Sequence, residues 1–146
     1  MDESRLNALL KDVPNYLGSF AVDEVNQIEI KRLPEFFVIN LNTRESGGNH
    51  WIAFAVYQNH VYICDALGGL IPGRYFPKKL INFLHLLIQN RNIHITKQLQ
   101  PLDSSTCGKY CVLFVKEMSQ TNNFSSFLSL FTTNVFQNDN IISFLQ

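Results

Sequence analysis

The chain has 146 residues, 46% of them hydrophobic and 12% aromatic, which suits one compact domain with a substantial core and leaves little room for a second. Twelve basic residues balance twelve acidic ones, so no global field draws the protein to nucleic acid or to an anionic membrane. The opening segment MDESRLNALLKDV lacks a secretory apolar core, no apolar run approaches the roughly 18 residues of a membrane span, and the cysteines are odd in number; a soluble intracellular protein with at least one free thiol is expected.

Ser4 or Asp2 can cap a short helix whose Leu6, Leu9, Leu10 and Val13 share a face, and Pro14 blocks its continuation. Phe36 to Leu41 reads as a strand, followed by a polar glycine loop from Thr43 to Asn49. Trp51 to Tyr57 (WIAFAVY) is almost continuously apolar, which predicts a central strand covered on both faces. Val61 to Asp65 follows after only Gln58, Asn59 and His60, so these two strands are expected to form an antiparallel hairpin. Gly68, Gly69, Pro72 and Gly73 mark a long turn region. Leu80, Phe83, Leu84 and Leu87 then share the face of a helix between Pro77 and Asn90. The alternation from Ile93 to Leu99 predicts another strand. After the polar segment Gln100 to Thr106, a buried helix runs from about Cys107 to Ser119, its solvent stripe limited to Lys109, Lys116 and Glu117. The tail adds two short helices, around Phe127 and Ile142.

A helix N-terminus stabilises a thiolate through its unpaired N–H groups and its dipole, and Cys107 occupies that place. Gly108 leaves room beside it for an acyl group, and the polar run DSST offers capping oxygens. The plain alternative, a buried structural thiol, is the reading for Cys64 and Cys111. A thiolate needs an imidazole held in one tautomer. If Gln58 and Asn59 form a two-residue turn, Tyr57 opposes His60 and Ile52 opposes Asp65. His50 and Asp65 then become diagonal neighbours on one face, and a register slip of one residue would separate them. For His60, His85 and His94, placed in the turn, in a helix and on a strand, no carboxylate partner is evident. Gln100, in the loop before the helix, can aim its amide at a developing oxyanion, whereas Gln98 is expected on the strand. Trp51 and Gly48 are candidates for a substrate groove, with core packing the equal alternative for Trp51.

These residues resemble those of the adenovirus maturation protease family, adenain, and more distantly the SUMO-deconjugating cysteine proteases. The matching segments are RESGGNHWIAFAV (Arg44 to Val56) and QPLDSSTCGKYC (Gln100 to Cys111), with weaker similarity in KDVPNYLGSF near the N-terminus. The glutamine stands seven residues before the Cys-Gly pair, as in the viral branch. His50 and Asp65 lie fifteen apart, a little closer than in the family, as a shorter hairpin would make them.

The resemblance implies an α+β, papain-like or adenain-like fold in which a central mixed β-sheet packs on a buried helix beginning at the nucleophile, with the whole of 1–146 as one protease domain. It implies a triad of His50, Asp65 and Cys107, with Gln100 in the oxyanion hole, and cleavage of viral structural precursors beside glycine. It places the protein in the virion and the host nucleus. The family is stimulated by DNA through a basic surface and joins an activating peptide through a cysteine. This chain is neutral overall and has no cysteine between Asp65 and Cys107, so a peptide activator is expected to be noncovalent. No cofactor and no metal is expected, and the protein is expected to act as a monomer. Rival readings are a deconjugating enzyme acting on SUMO-like or ubiquitin-like Gly-Gly tails and an inactive binding module of the same fold. Zinc ligation by Cys64, Cys107 and Cys111 lacks the CxxC pair such sites use.

Overall fold

Five strands lie side by side in chain order: β1 (Tyr16–Ala21), β2 (Glu35–Asn40), β3 (Trp51–Val56), β4 (His60–Cys64) and β5 (Asn92–Ile95). The computed structural model describes residues 1–41, 50–68, 77–102 and 104–145. The central pairs, β2 with β3 and β3 with β4, are antiparallel, while the outer pairs, β1 with β2 and β4 with β5, are parallel. Each parallel pair needs a crossover. A 3₁₀ segment, Val22–Gln27, lies between β1 and β2, and helix α2 (Lys78–Ile88) lies between β4 and β5.

All six residues of β3 are buried, as expected of a strand covered on both sides. Its side chains alternate between two cores. Trp51, Ala53 and Ala55 face a cluster with α1 (Glu3–Leu10) and α3 (Cys107–Thr121). Ile52, Phe54 and Val56 face a second cluster with Val22, Val25, Leu80 and Leu87. There Phe37 stacks on Phe54 with centroids 4.9 Å apart, and Phe83 of α2 meets both rings edge-on. Helix α1 begins at Asp2, whose carboxylate accepts from the Arg5 N–H, and its Leu6 and Leu10 are fully buried.

Helix α3 is the buried helix of the fold and begins at Cys107. It ends at Asn122, whose left-handed conformation turns its N–H back to the Met118 carbonyl. Two further helices, α4 (Phe124–Leu128) and α5 (Val135–Leu145), close the same core through Phe127 and Ile142.

One strand was not foreseen and two expectations need correction. Strand β1 has no clear alternation in YLGSFA: it is a half-buried edge strand with Gly18 at φ 120°, a conformation glycine adopts without strain. His60 is not a turn residue but the first residue of β4. Strand β5 stops at Ile95 instead of reaching Leu99, because its partner β4 ends and the chain turns over Asp65 to Gly68, so Leu99 and Gln100 both donate to the Ala66 carbonyl. Gln98 is therefore off the strand, its amide donating to the Gln100 carbonyl. The loop from Thr43 to Asn49 with Gly48, and Gly69, Pro72 and Gly73, lie outside the described residues.

Candidate active site

The hairpin register brings the first two candidates together. Val56 pairs with Val61 and Ala53 with Cys64, and one further step sets Ile52 opposite Asp65. His50, just before β3, reaches across this diagonal, its Nε2 lying 2.9 Å from Asp65 Oδ1 with both groups buried. The carboxylate is itself held. Its Oδ1 accepts from the Leu67 N–H at 3.2 Å, and the Thr96 hydroxyl accepts from the Asp65 N–H and donates to the Asp65 carbonyl, each at 2.9 Å. With Nε2 committed to Asp65, Nδ1 is the ring nitrogen left for another partner.

That partner is Cys107, the first residue of α3. The backbone N–H of Trp51, directly after His50, donates to Cys107 Sγ at 3.4 Å across 56 residues of sequence. Burial is the largest single influence on the Cys107 thiol and pushes its pKa up. The His50 hydrogen bond, the Trp51 N–H, the imidazolium charge and the Gly108 N–H together outweigh burial, so the pKa stands below that of an ordinary thiol. For His50, burial is again the largest influence and disfavours the charged ring. Hydrogen bonds and charges from Asp65 and Cys107 overcome it and raise its pKa above the usual histidine value. Sulfur and imidazole are thus both shifted toward their charged forms.

Gln100 is fully buried in the loop ahead of α3. Its Nε2 donates to the Ser104 carbonyl at 3.0 Å, leaving one amide hydrogen uncommitted, and its Oε1 is a buried acceptor with no partner among the described residues. Functional sites carry such exceptions. Trp51 packs its indole in the α3 core, so its link to the site is its backbone N–H. Gly108 opens space for something other than an acyl group: a Cβ there would lie 3.1 Å from Met1 Cβ. Thr106 does not cap α3 with its side chain. Cys64 and Cys111 are buried in the core, which pushes their thiols well up. His60 Nδ1 and His94 Nε2 meet at 3.0 Å at the end of β4 remote from Asp65. Among the described residues no group of three metal-ligating side chains exists, and no helix is long and apolar enough to cross a membrane.

Sequence reasoning missed the Trp51 N–H, Thr96, and a carboxylate behind the loop, Asp139. Thr96 alone had a local signal, since a hydroxyl at the end of an outer strand is placed to bond a neighbour's backbone.

A family model described as adenovirus endoprotease matches residues 16–143, from the start of β1 into α5. Two curated relatives, both named Protease, come from bovine adenovirus 2 and human adenovirus B serotype 3. They are 26% and 27% identical over 136 residues, in each case covering 77% of this chain and 60% of the relative. This chain therefore spans about 60% of the length of those relatives. Among solved structures, the central domain of the uncharacterized Lpg1148 protein from Legionella pneumophila superposes with a TM-score of 0.57 at 11% identity, covering 99% of this chain and 92% of that one. HopZ1a, solved in complex with IP6, gives 0.55 at 13% identity, covering 96% of this chain and 49% of that one. At such identities these likenesses speak for the fold. The match from β1 into α5 speaks for the lineage: the chain belongs to the adenovirus endoprotease family.

Proposed function

We propose that this chain is a cysteine endopeptidase whose nucleophile is Cys107, with His50 as its acid and base and Asp65 as the group that orients the ring. The observation that carries this reading is the buried array in which Asp65 holds one His50 nitrogen at 2.9 Å and His50 and the Trp51 N–H engage the sulfur at the head of α3. The thiolate attacks the peptide carbonyl. Negative charge grows on the carbonyl oxygen, where the Cys107 N–H and the uncommitted hydrogen of Gln100 Nε2 are the candidate donors. His50 then protonates the leaving amine and afterwards activates the water that hydrolyses the thioester. Asp65 keeps the ring aligned throughout and balances its positive charge.

The substrate class that fits the family is viral precursor protein cut beside glycine, in the virion and the host nucleus, by residues 1–146 acting as one domain and as a monomer. The chemistry needs no metal or organic cofactor. A peptide activator would bind noncovalently, since no cysteine lies between Asp65 and Cys107 to anchor it, and the zero net charge favours no DNA stimulation. The test is cleavage of a glycine-flanked capsid-precursor peptide beside SUMO and ubiquitin conjugates. Parent protein should cut the peptide and leave the conjugates, and Cys107→Ala should fall to background. Undiminished cleavage by Cys107→Ala overturns the mechanism, and preference for a conjugate transfers the protein to the deconjugating enzymes.

A further inference from the structure

The loop from Leu99 to Thr106 carries Gln100 and delivers Cys107, and it is tied down on two sides. Toward the sheet, the Leu99 and Gln100 N–H groups share the Ala66 carbonyl at 2.8 and 3.0 Å. On the other side stands α5. Buried Asn138 donates its amide to the Leu99 carbonyl at 3.0 Å and to the Thr132 carbonyl at 2.9 Å. Its neighbour Asp139 accepts three hydroxyls: Ser104 Oγ at 2.7 Å on one oxygen, and Thr106 Oγ1 at 2.9 Å and the Tyr110 hydroxyl at 2.8 Å on the other.

The Thr106 contact changes the chemistry of the helix end. A threonine immediately before a helix ordinarily turns its oxygen onto an N–H of the first turn, and Thr106 holds that position without making the bond. Its hydroxyl faces Asp139 Oδ1 at 2.9 Å and Ser104 Oγ at 2.6 Å instead, in a cluster where Ser104 and Thr106 share their protons with the carboxylate. Of the first-turn N–H groups, that of Lys109 donates to the Thr106 carbonyl at 2.9 Å, and those of Cys107 and Gly108 are the ones a sulfur anion or an oxyanion would use.

We propose that Asp139 is a positioning residue for the cysteine site: by accepting from Ser104, Thr106 and Tyr110 it fixes the Gln100 loop and turns the Thr106 hydroxyl away from the start of α3, leaving that end open to the sulfur. The proposal rests on Cys107 being the nucleophile. It makes a prediction against simple electrostatics. Removing a nearby negative charge should by itself favour the thiolate, whereas release of Thr106 to cap the helix should disfavour it.

The experiment measures the rate of Cys107 alkylation by iodoacetamide against pH, with the modified residue mapped by mass spectrometry and the fold checked by circular dichroism. In Asp139→Ala the midpoint should move upward, leaving about tenfold less thiolate at neutral pH, the size of effect one cap bond gives. Turnover of the glycine-flanked peptide should show the loss mainly in kcat. Adding Thr106→Val removes the competing hydroxyl and should return the midpoint toward the parental value. A folded Asp139→Ala protein with the parental profile, or a double variant without recovery, overturns the proposal. If Asp139→Ala does not fold, Asp139→Asn decides: it keeps one acceptor for three hydroxyls, so a smaller upward shift is expected and a parental profile overturns the idea. A parent protein whose Cys107 titrates as an ordinary thiol instead overturns the protease reading beneath it.

Discussion

At the head of α3 two buried groups each shift the other toward its charged form. Burial alone would take the proton from His50 and leave it on Cys107; the contacts within the Asp65, His50 and Cys107 array reverse both tendencies. The sign of the pH dependence follows. A lowered thiol pKa moves the acid limb of activity down, and a raised imidazole pKa moves the alkaline limb up, the two limbs belonging to the coupled pair. Asp65→Asn removes a contact that raises His50, so the alkaline limb should fall, the acid limb should rise, and kcat should drop roughly 10²- to 10⁴-fold. A pH profile of kcat/KM checks this, and an unmoved alkaline limb contradicts it. Thiol counting supplies a second prediction: limited alkylation of the native protein should modify Cys107 alone, since Cys64 and Cys111 are buried with raised pKa values, while denaturation should expose all three cysteines. At this scale the His50–Asp65 pair was legible because the two-residue turn at Gln58 and Asn59 fixes the register of the hairpin. The roles of Met1 beside Gly108 and of Asp139 behind Thr106 were not, because nothing near position 108 or 106 announces a partner about a hundred or about thirty residues away.

Among the elements, the join between β3 and α3 sets how near the sulfur comes to the ring. Ala53 and Ala55 are fully buried on the strand face beneath α3, and their small side chains let the helix lie close. Ala53→Leu should cost about 1–3 kcal/mol by overpacking and should lower kcat out of proportion, because pushing α3 outward carries Cys107 away from His50. Urea unfolding and steady-state kinetics on the same sample separate the two effects. On the opposite face, Phe54→Ala should cost about 3–5 kcal/mol by opening a cavity between Phe37 and Phe83, with kcat nearly kept in the fraction that remains folded. Strands β2 to β4 and helices α2 and α3 were readable from continuous apolar runs and helical periodicity. Strand β1 was not: its parallel pairing to β2 is satisfied by backbone bonds from a half-buried edge, which leave little pattern in side chains. The length of β5 was also hidden, since it is decided by where β4 turns away and not by the alternation from Ile93 to Leu99.

Across the whole molecule, the site draws on residues 50, 65, 100 and 107, with 139 bonding to the loop behind them, so no contiguous stretch of chain contains it. The α+β class and the helix that starts at Cys107 were visible in the sequence, whereas the strand order, with parallel pairs outside an antiparallel centre, emerged only from the structure. Trp51 gives this arrangement an optical consequence. It is the single tryptophan of the chain, it is buried, and its own amide touches the sulfur. Indole emission is quenched by a nearby thiolate or protonated imidazole, so the brightness of native protein should change as the Cys107 and His50 charges appear and vanish, with no dye attached. A fluorescence titration of the parent against Cys107→Ala would then read the state of the site directly, without substrate.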